Sequence, residues 1–340
     1  MQPFTYRQAA DVQDAVATRA RHRSDLSEQP AVDFLAGGTD LLPLMTERVR
    51  LPVEVIDLSR LPDAHPDLAA VHAGPDGARL GALARLSDVA GHAGVRQHYP
   101  VLVEALLASA SPQVRNLATV AGNVLQRTRC GYFRDASTPC NKRQPGSGCP
   151  ALSGQNRDHA LLGASEHCIA TYAGDLANAL LVLDAVVHTT GPDGDRTMPL
   201  QQLHRRPGDT PELETQLHPG ELITRFEVAP GPSTRRSHYV KVRERASFQW
   251  AIAAAAVALD LTEQGTVRQA RVAVGGVATT PWRTTAVEQA LLGQPLTDRL
   301  CREAGLLAAD GAVPRGGNAY KVELVGRTVT RALQETAALP

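Results

Sequence analysis

Apolar positions along the chain switch between short runs and helical spacing. "AVDFLAGG" (31–38) and "PVEVIDLS" (52–59) are compact apolar runs bounded by glycine or proline, and read as strands. "DVQDAVATRARHR" (11–23) has helical spacing, so the first sixty residues predict a small β/α unit. "ARLGALARL" (78–86) reads as a strand and "SDVAGHA" (87–93) as a capped helix start. "YPVLVEALLAS" (99–109) reads as a helix with Pro100 in the first turn, where its missing N–H costs nothing. After a long irregular stretch, "DLANALLVLDAVVHTT" (175–190) and "GELITRFEV" (220–228) predict a helix and strands. The Pro-, Gly- and Ser-rich "APGPSTRRS" (229–237) predicts a domain boundary. Beyond it, "HYVKVRER" (238–245), "AIAAAAVALDL" (251–261) and "VRQARVAVGGVA" (267–278) read as strands of one sheet. "TAVEQALLG" (285–293), "DRLCREAGLLAA" (298–309) and "YKVELVGRTVTRALQETA" (320–337) read as its helices. Strands followed by helices predict an α+β C-terminal domain.

Composition narrows the function classes. Hydrophobic content of 43% and charged content of 21% are those of a globular chain with cores of its own. Lys plus Arg balance Asp plus Glu at 35 each, so no global field draws the chain to nucleic acid or an anionic membrane. The longest apolar run, near Ala251 to Leu259, is too short to cross a bilayer, so no membrane insertion is expected. "MQPFTYRQAA" lacks the pattern of a signal peptide, and synthesis in the reducing cytoplasm follows as the expectation.

That compartment changes how the cysteines read. Four of the five lie in or just after one Gly-, Pro- and Arg-rich stretch, "RTRCGYFRDASTPCNKRQPGSGCP" (127–150), which predicts an irregular loop. Disulfides being disfavoured, Cys130, Cys140, Cys149 and Cys168 are free thiols, catalytic thiols or metal ligands. Cys301 sits in an amphipathic helical pattern and reads as a small core residue. Three further motifs carry candidate chemistry. "LAGGTDLL" (35–42) is a strand running into two glycines, either a plain turn or a nest of N–H groups for a phosphate. "SPQVRNLATVAGNVL" (111–125) ends in small residues and a Gly-Asn pair. In "AGDLANALLVLDA" (173–185), Asp175 either caps a helix or accepts a bond from a cofactor. Neither a G-x-G-x-x-G fingerprint nor a Walker loop is present.

Order and spacing say more than any one motif. "AGGTDLL", "RNLATVAGNV", "GDLANAL", "GELITRFEV", "YVKVRERASF" and "VAVGGVATTPWR", in that order, make the chain resemble the FAD-binding (medium) subunits of xanthine oxidase-family molybdenum hydroxylases. The resemblance spans essentially the whole length. It implies an α+β architecture: a two-part FAD-binding domain of the PCMH/vanillyl-alcohol-oxidase-like type over 1–228 (parts about 1–60 and 61–228), then a C-terminal domain like that of CO dehydrogenase flavoproteins over 229–340. It assigns the FAD pyrophosphate to Leu35, Ala36, Gly37, Gly38, Thr39, Asp40 and Leu41 together with Ala118, Thr119, Gly122 and Asn123. It places Asp175, Leu222 and Lys241 by the flavin end. Gly174 departs from the serine that many relatives carry, so one hydroxyl contact to the cofactor is expected to be missing.

Most flavin subunits of the family lack a cysteine set between the Gly-Asn and Asp motifs. A minority carry an insert with a 4Fe–4S cluster, and the similarity is greatest to those of periplasmic aldehyde oxidoreductases, across "QRTRC", "PCNKRQPGSGC" and "CIAT". The insert would span about 126–170, with Cys130, Cys140, Cys149 and Cys168 as cluster ligands. The residues agree: such clusters take four thiolates, and gaps of 9, 8 and 18 residues are wider than the paired C-x-x-C knuckles of zinc sites. His159 and His167 read as surface or packing residues. The implied role is electron transfer: 2Fe–2S clusters of a small subunit deliver electrons to FAD, which passes them to an external acceptor, while a large molybdopterin subunit oxidises the aldehyde. Alternatives are the flavin subunit of a 4-hydroxybenzoyl-CoA reductase-type enzyme, with reversed electron flow, and a non-catalytic zinc- or flavin-binding scaffold. The resemblance also implies export to the periplasm with a signal-bearing partner subunit, against residence in the cytoplasm.

Overall fold

The computed structural model describes residues 1–21 and 31–339. Three sheets organise it. The first is parallel and built from β1 (Thr5–Gln8), β2 (Val32–Leu35) and β3 (Glu54–Asp57) in the order β1-β3-β2. The helix Val12–Ala20 makes the crossover's described part, capped by the Asp11 carboxylate on Asp14 N; His22 and Arg23, at the end of the predicted helix, lie outside the described residues. The strand β1 had no periodic signal in the sequence: four residues with mostly exposed side chains give neither alternation nor a run.

The second sheet is antiparallel, from β4 (Val71–Gly74), β5 (Gly77–Gly81), β6 (Val186–Gly191), β7 (Gly194–Pro199) and β8 (Leu222–Val228), in the order β4-β5-β8-β6-β7. The predicted strand 78–86 stops at Gly81, where a Cβ would meet the Leu68 carbonyl oxygen at 2.4 Å. The following helix starts at Leu86, before Ser87, and has no side-chain cap. Pro100 does open the helix Pro100–Ala108.

The third sheet, β9 (Ser237–Val242), β10 (Ala253–Leu261), β11 (Val267–Gly275) and β12 (Trp282–Arg283), runs antiparallel in the order β12-β11-β10-β9. In β10 the side chains alternate between two cores. Ala254, Ala256 and Ala258 pack with the helices Pro100–Ala108 and Leu176–Val182; Ala255, Val257 and Leu259 pack with the helix Tyr320–Ala337. Layers on both faces account for the uninterrupted run of small apolar residues. The helix Leu176–Val182 is buried at every position and approaches the sheet so closely that a Cβ at Gly275 would meet Asn178 Nδ2 at 2.4 Å. Cys301 is buried in the same C-terminal core, as expected.

Between β5 and β6 in the chain, residues 126–170 run mostly without regular structure, apart from the turns Gly131–Arg134 and Pro150–Leu152. Their end is tied to the C-terminal layer: Leu161 N and Leu162 N donate to Val277 O, and both leucines enter the C-terminal core.

Candidate functional site

The first glycine turn packs backbone to backbone on the second motif. A Cβ on Gly37 would lie 2.0 Å from the Leu117 carbonyl oxygen and 3.1 Å from Ala118 Cα, so only glycine permits the approach. Gly38 follows with φ +71°, the left-handed region. Ala118 N donates to Val114 O, and Thr119 Oγ1 caps the short helix Val120–Val124 by accepting from Gly122 N at 3.3 Å. The two motifs, far apart in sequence, thereby form one wall of a cavity of about 450 Å³.

Ala36, Gly37, Gly38, Thr39, Asp40 and Leu41 line that cavity, as do Thr119, Gly122 and Leu222. Leu35 ends β2 just beneath, Ala118 is buried behind Gly37, and Asn123 sits outside the lining with its Oδ1 buried and unpaired. A second space of about 210 Å³ shares Ala36, Leu83 and Thr119 and extends along Ser59 and Arg85.

Asp175 and Lys241 are brought together elsewhere. Asp175 stands at the N-terminal end of the helix Leu176–Val182 but makes no side-chain cap. Its carboxylate accepts from Ser109 Oγ, Tyr239 OH and Lys241 Nζ, each at 2.7 Å. Tyr239 and Lys241 are two apart on β9 and so share a face. The ion pair is almost wholly buried and satisfied by these three donors. Neither residue lines the cavity. Burial, and then the Asp175 charge, push the Tyr239 hydroxyl well above its usual range.

The irregular insert forms the opposite wall. Asp40 anchors it: Oδ2 accepts from Arg127 N at 2.9 Å, and Oδ1 pairs with Arg129 and Arg134. The residues that sequence spacing could not find lie here. Glu214 pairs with Arg127 and, at 2.9 Å, with Lys142; all three line the cavity. Burial pushes the Glu214 carboxyl up, but the two cations outweigh it and hold it at about 2. Tyr172 OH and His204 Nε2 both meet the Val124 carbonyl, at 2.8 and 3.0 Å, fixing the end of the Gly-Asn helix. Burial pushes the His204 imidazole down to about 4, so it is neutral and donates.

Cys130, Cys140, Cys149 and Cys168 all border one small space, about 10 Å³, enough for about one water. Burial pushes the Cys130 thiol up to about 12 and raises Cys149 and Cys168. Among the described residues, no group of three or more His, Cys, Asp or Glu side chains is placed to hold a metal ion. Lys142, Cys168 and Ala170 border both this space and the large cavity, so the two sites share a wall. His159, expected as a surface or packing residue, is buried with Nε2 3.1 Å from Cys130 Sγ. His167 is half exposed near Asp209, at 3.4 Å.

Comparison with known proteins agrees with this geometry. Residues 2–230 match the FAD binding domain in molybdopterin dehydrogenase, and residues 238–336 the CO dehydrogenase flavoprotein C-terminal domain. The chain is 42% identical to the aldehyde oxidoreductase FAD-binding subunit of Escherichia coli strain K12, covering 99% of each. It is 27% identical to the carbon monoxide dehydrogenase medium chain of Hydrogenophaga pseudoflava, covering 97% of this chain and 96% of that one. Among solved structures, carbon monoxide dehydrogenase from Hydrogenophaga pseudoflava lacking the Mo-pyranopterin moiety superposes with a TM-score of 0.75 at 26% identity, covering 99% and 98%. The backbone of Gly37 and Gly38 in the cavity lining, and the buried, unpaired Asn123 Oδ1 near it, fit a dinucleotide cofactor. The chain belongs to the FAD-binding medium subunits of the xanthine oxidase-family molybdenum hydroxylases, flavoproteins of oxidoreductase complexes.

Proposed function

We propose that the chain is the FAD- and 4Fe–4S-carrying electron-transfer subunit of a molybdenum-dependent aldehyde oxidoreductase. The observation that carries this reading is the shared wall: four thiols border one space, and Cys168 with Lys142 faces both that space and the cavity of the glycine motifs. Four thiols bordering one space match the four thiolates of a cluster, and their chain spacing is wider than the paired knuckles of zinc sites. Arg127, Arg129, Arg134 and Lys142 belong to the insert; Asp40, Glu47 and Glu214 pair with them, and the one positive charge left over offsets part of the negative charge of a thiolate-bound cluster.

For FAD, Gly37 and Gly38 offer backbone to the pyrophosphate, with Thr39, Thr119 and Gly122 beside them. Leu222 forms part of the apolar lining. Bound FAD supplies the exchange between one-electron carriers and a two-electron acceptor. The chain's own residues bind it and exclude water. Asp175 and Lys241 stiffen the layer behind the site through their buried pair, which is consistent with a place near the flavin end. Partners are a large molybdopterin subunit, which oxidises the aldehyde, and a small 2Fe–2S subunit; an external acceptor takes the electrons. The assembled complex is exported to the periplasm on a signal carried by a partner.

The test is anaerobic purification of the full chain, with flavin, iron and acid-labile sulfide assays and an optical spectrum. About four irons and four sulfides per flavin support the reading. Zinc in place of iron, or no metal, overturns the cluster and leaves the flavin assignment standing.

A further inference from the structure

We infer that His159 is a positioning residue that donates its Nε2–H to the Cys130 sulfur and so sets the reduction potential of the cluster; this rests on the four-cysteine reading above. His159 Nε2 lies 3.1 Å from Cys130 Sγ, within the 4 Å reach of a hydrogen bond to sulfur. A thiolate ligand has no proton to give, so the nitrogen facing it must carry one. The other ring nitrogen, Nδ1, is buried without a hydrogen-bond partner. That agrees with the same tautomer, because an unpaired acceptor is better tolerated there than an unpaired N–H. His159 is not among the residues bordering the cysteine space, so it approaches the sulfur from behind and leaves the ligand positions to the thiols.

The position is built by the C-terminal layer. Asn318 Nδ2 donates to the carbonyls of His159 and Ala160 at 3.3 and 3.1 Å. Lys321, wholly buried, donates to the carbonyls of Asp158, His159 and Gly276. Two side chains from the start of the last helix and the turn before it thus hold the His159 backbone against the third sheet. The Tyr132 ring lies on the other side, 6.3 Å between centroids. Donors to a thiolate stabilise the more negative, reduced state of an iron–sulfur centre and raise its potential. In that reduction one electron enters from the titrant, and no bond to the protein forms or breaks.

The test uses the full chain, purified anaerobically, in three forms: wild type, His159→Gln, which keeps an N–H donor, and His159→Met, which removes it at similar volume. Flavin, iron and sulfide are measured first, then the cluster is titrated reductively and followed by low-temperature EPR. The expected result is unchanged iron and flavin in both variants. His159→Met should lower the reduction equilibrium constant on the order of tenfold, about 59 mV for a one-electron couple. His159→Gln should return most of the shift. Equal potentials in wild type and His159→Met overturn the inference. Iron lost from both variants with flavin retained also overturns it, by making His159 a ligand or a support. A wild-type chain without iron instead removes the four-cysteine reading on which the inference stands.

Discussion

Replacing Glu214 by Gln removes the single carboxylate that both Arg127 and Lys142 pair with in the wall between the two sites. Its side chain keeps 27% exposure, directed to the cavity it lines. The fall of its carboxyl from 4.5 to about 2 corresponds to at most about 3.5 kcal/mol at ~1.4 kcal/mol per pH unit. That matches the ~3–5 kcal/mol for leaving one side of a buried pair unmatched. The sign follows from linkage. The folded value lies below the unfolded one, so the contribution is complete above about pH 4.5 and is lost as pH falls toward 2. At neutral pH, Glu214→Gln should therefore melt roughly 5 °C below wild type by flavin-fluorescence or calorimetric scanning. The gap should shrink by more than half near pH 3, where the unfolded carboxyl is already protonated. Equal melting at neutral pH, or a gap that widens on acidification, would refute the assignment of Glu214 as the charge that holds this wall.

Other perturbations test other parts. Gly38→Val, at φ +71° with Leu42 Cδ1 2.9 Å from the new Cβ, should purify folded with little flavin, read from the ratio of flavin to protein absorbance; full flavin would place the cradle elsewhere. Cys168→Ser should lose iron and Cys301→Ser should keep it, measured by metal analysis; the reverse pattern would show that the ligand set is wrong. Lys241→Met leaves the Asp175 carboxylate buried without its cation and should cost ~3–5 kcal/mol by denaturant titration, whereas a change under about 1 kcal/mol would deny the pair a structural role. The contacts from Glu104, at 2.7 Å, and Glu335, at 2.8 Å, raise the His238 imidazole against the pull of burial. That contribution is fully present below about pH 6.5 and lost as pH rises through the folded value. The melting gap between wild type and His238→Gln should then narrow as pH rises above about 6.5.

What the sequence shows of this molecule follows from how each feature is encoded. Strands such as β10 and β11 and helices such as Tyr320–Ala337 carry their burial in local periodicity, and each lies where the pattern puts it. The glycine motifs are legible because a positive φ or a backbone contact admits no other residue; Gly37 against Leu117 O is such a contact. Exposed β1 has no such signature, and the start of the helix at Leu86 is set by the tertiary contact of Leu86 N with Ala118 O, not by Ser87. The polar wall is harder still. Glu214 meets Arg127 across 87 residues and Lys142 across 72, and nothing near Glu214 distinguishes it from a solvated surface acid. His159 reads only as a surface or packing residue, because four cysteines satisfy a cluster by count and a neighbouring histidine carries no demand in the sequence; the structure buries it. Its contact with Cys130 is visible only once Asn318 and Lys321, from the far end of the chain, hold its backbone there. Motifs held by backbone geometry are therefore readable one segment at a time. Charge and hydrogen-bond networks around the same site are written across distant segments and emerge only once the layers have packed.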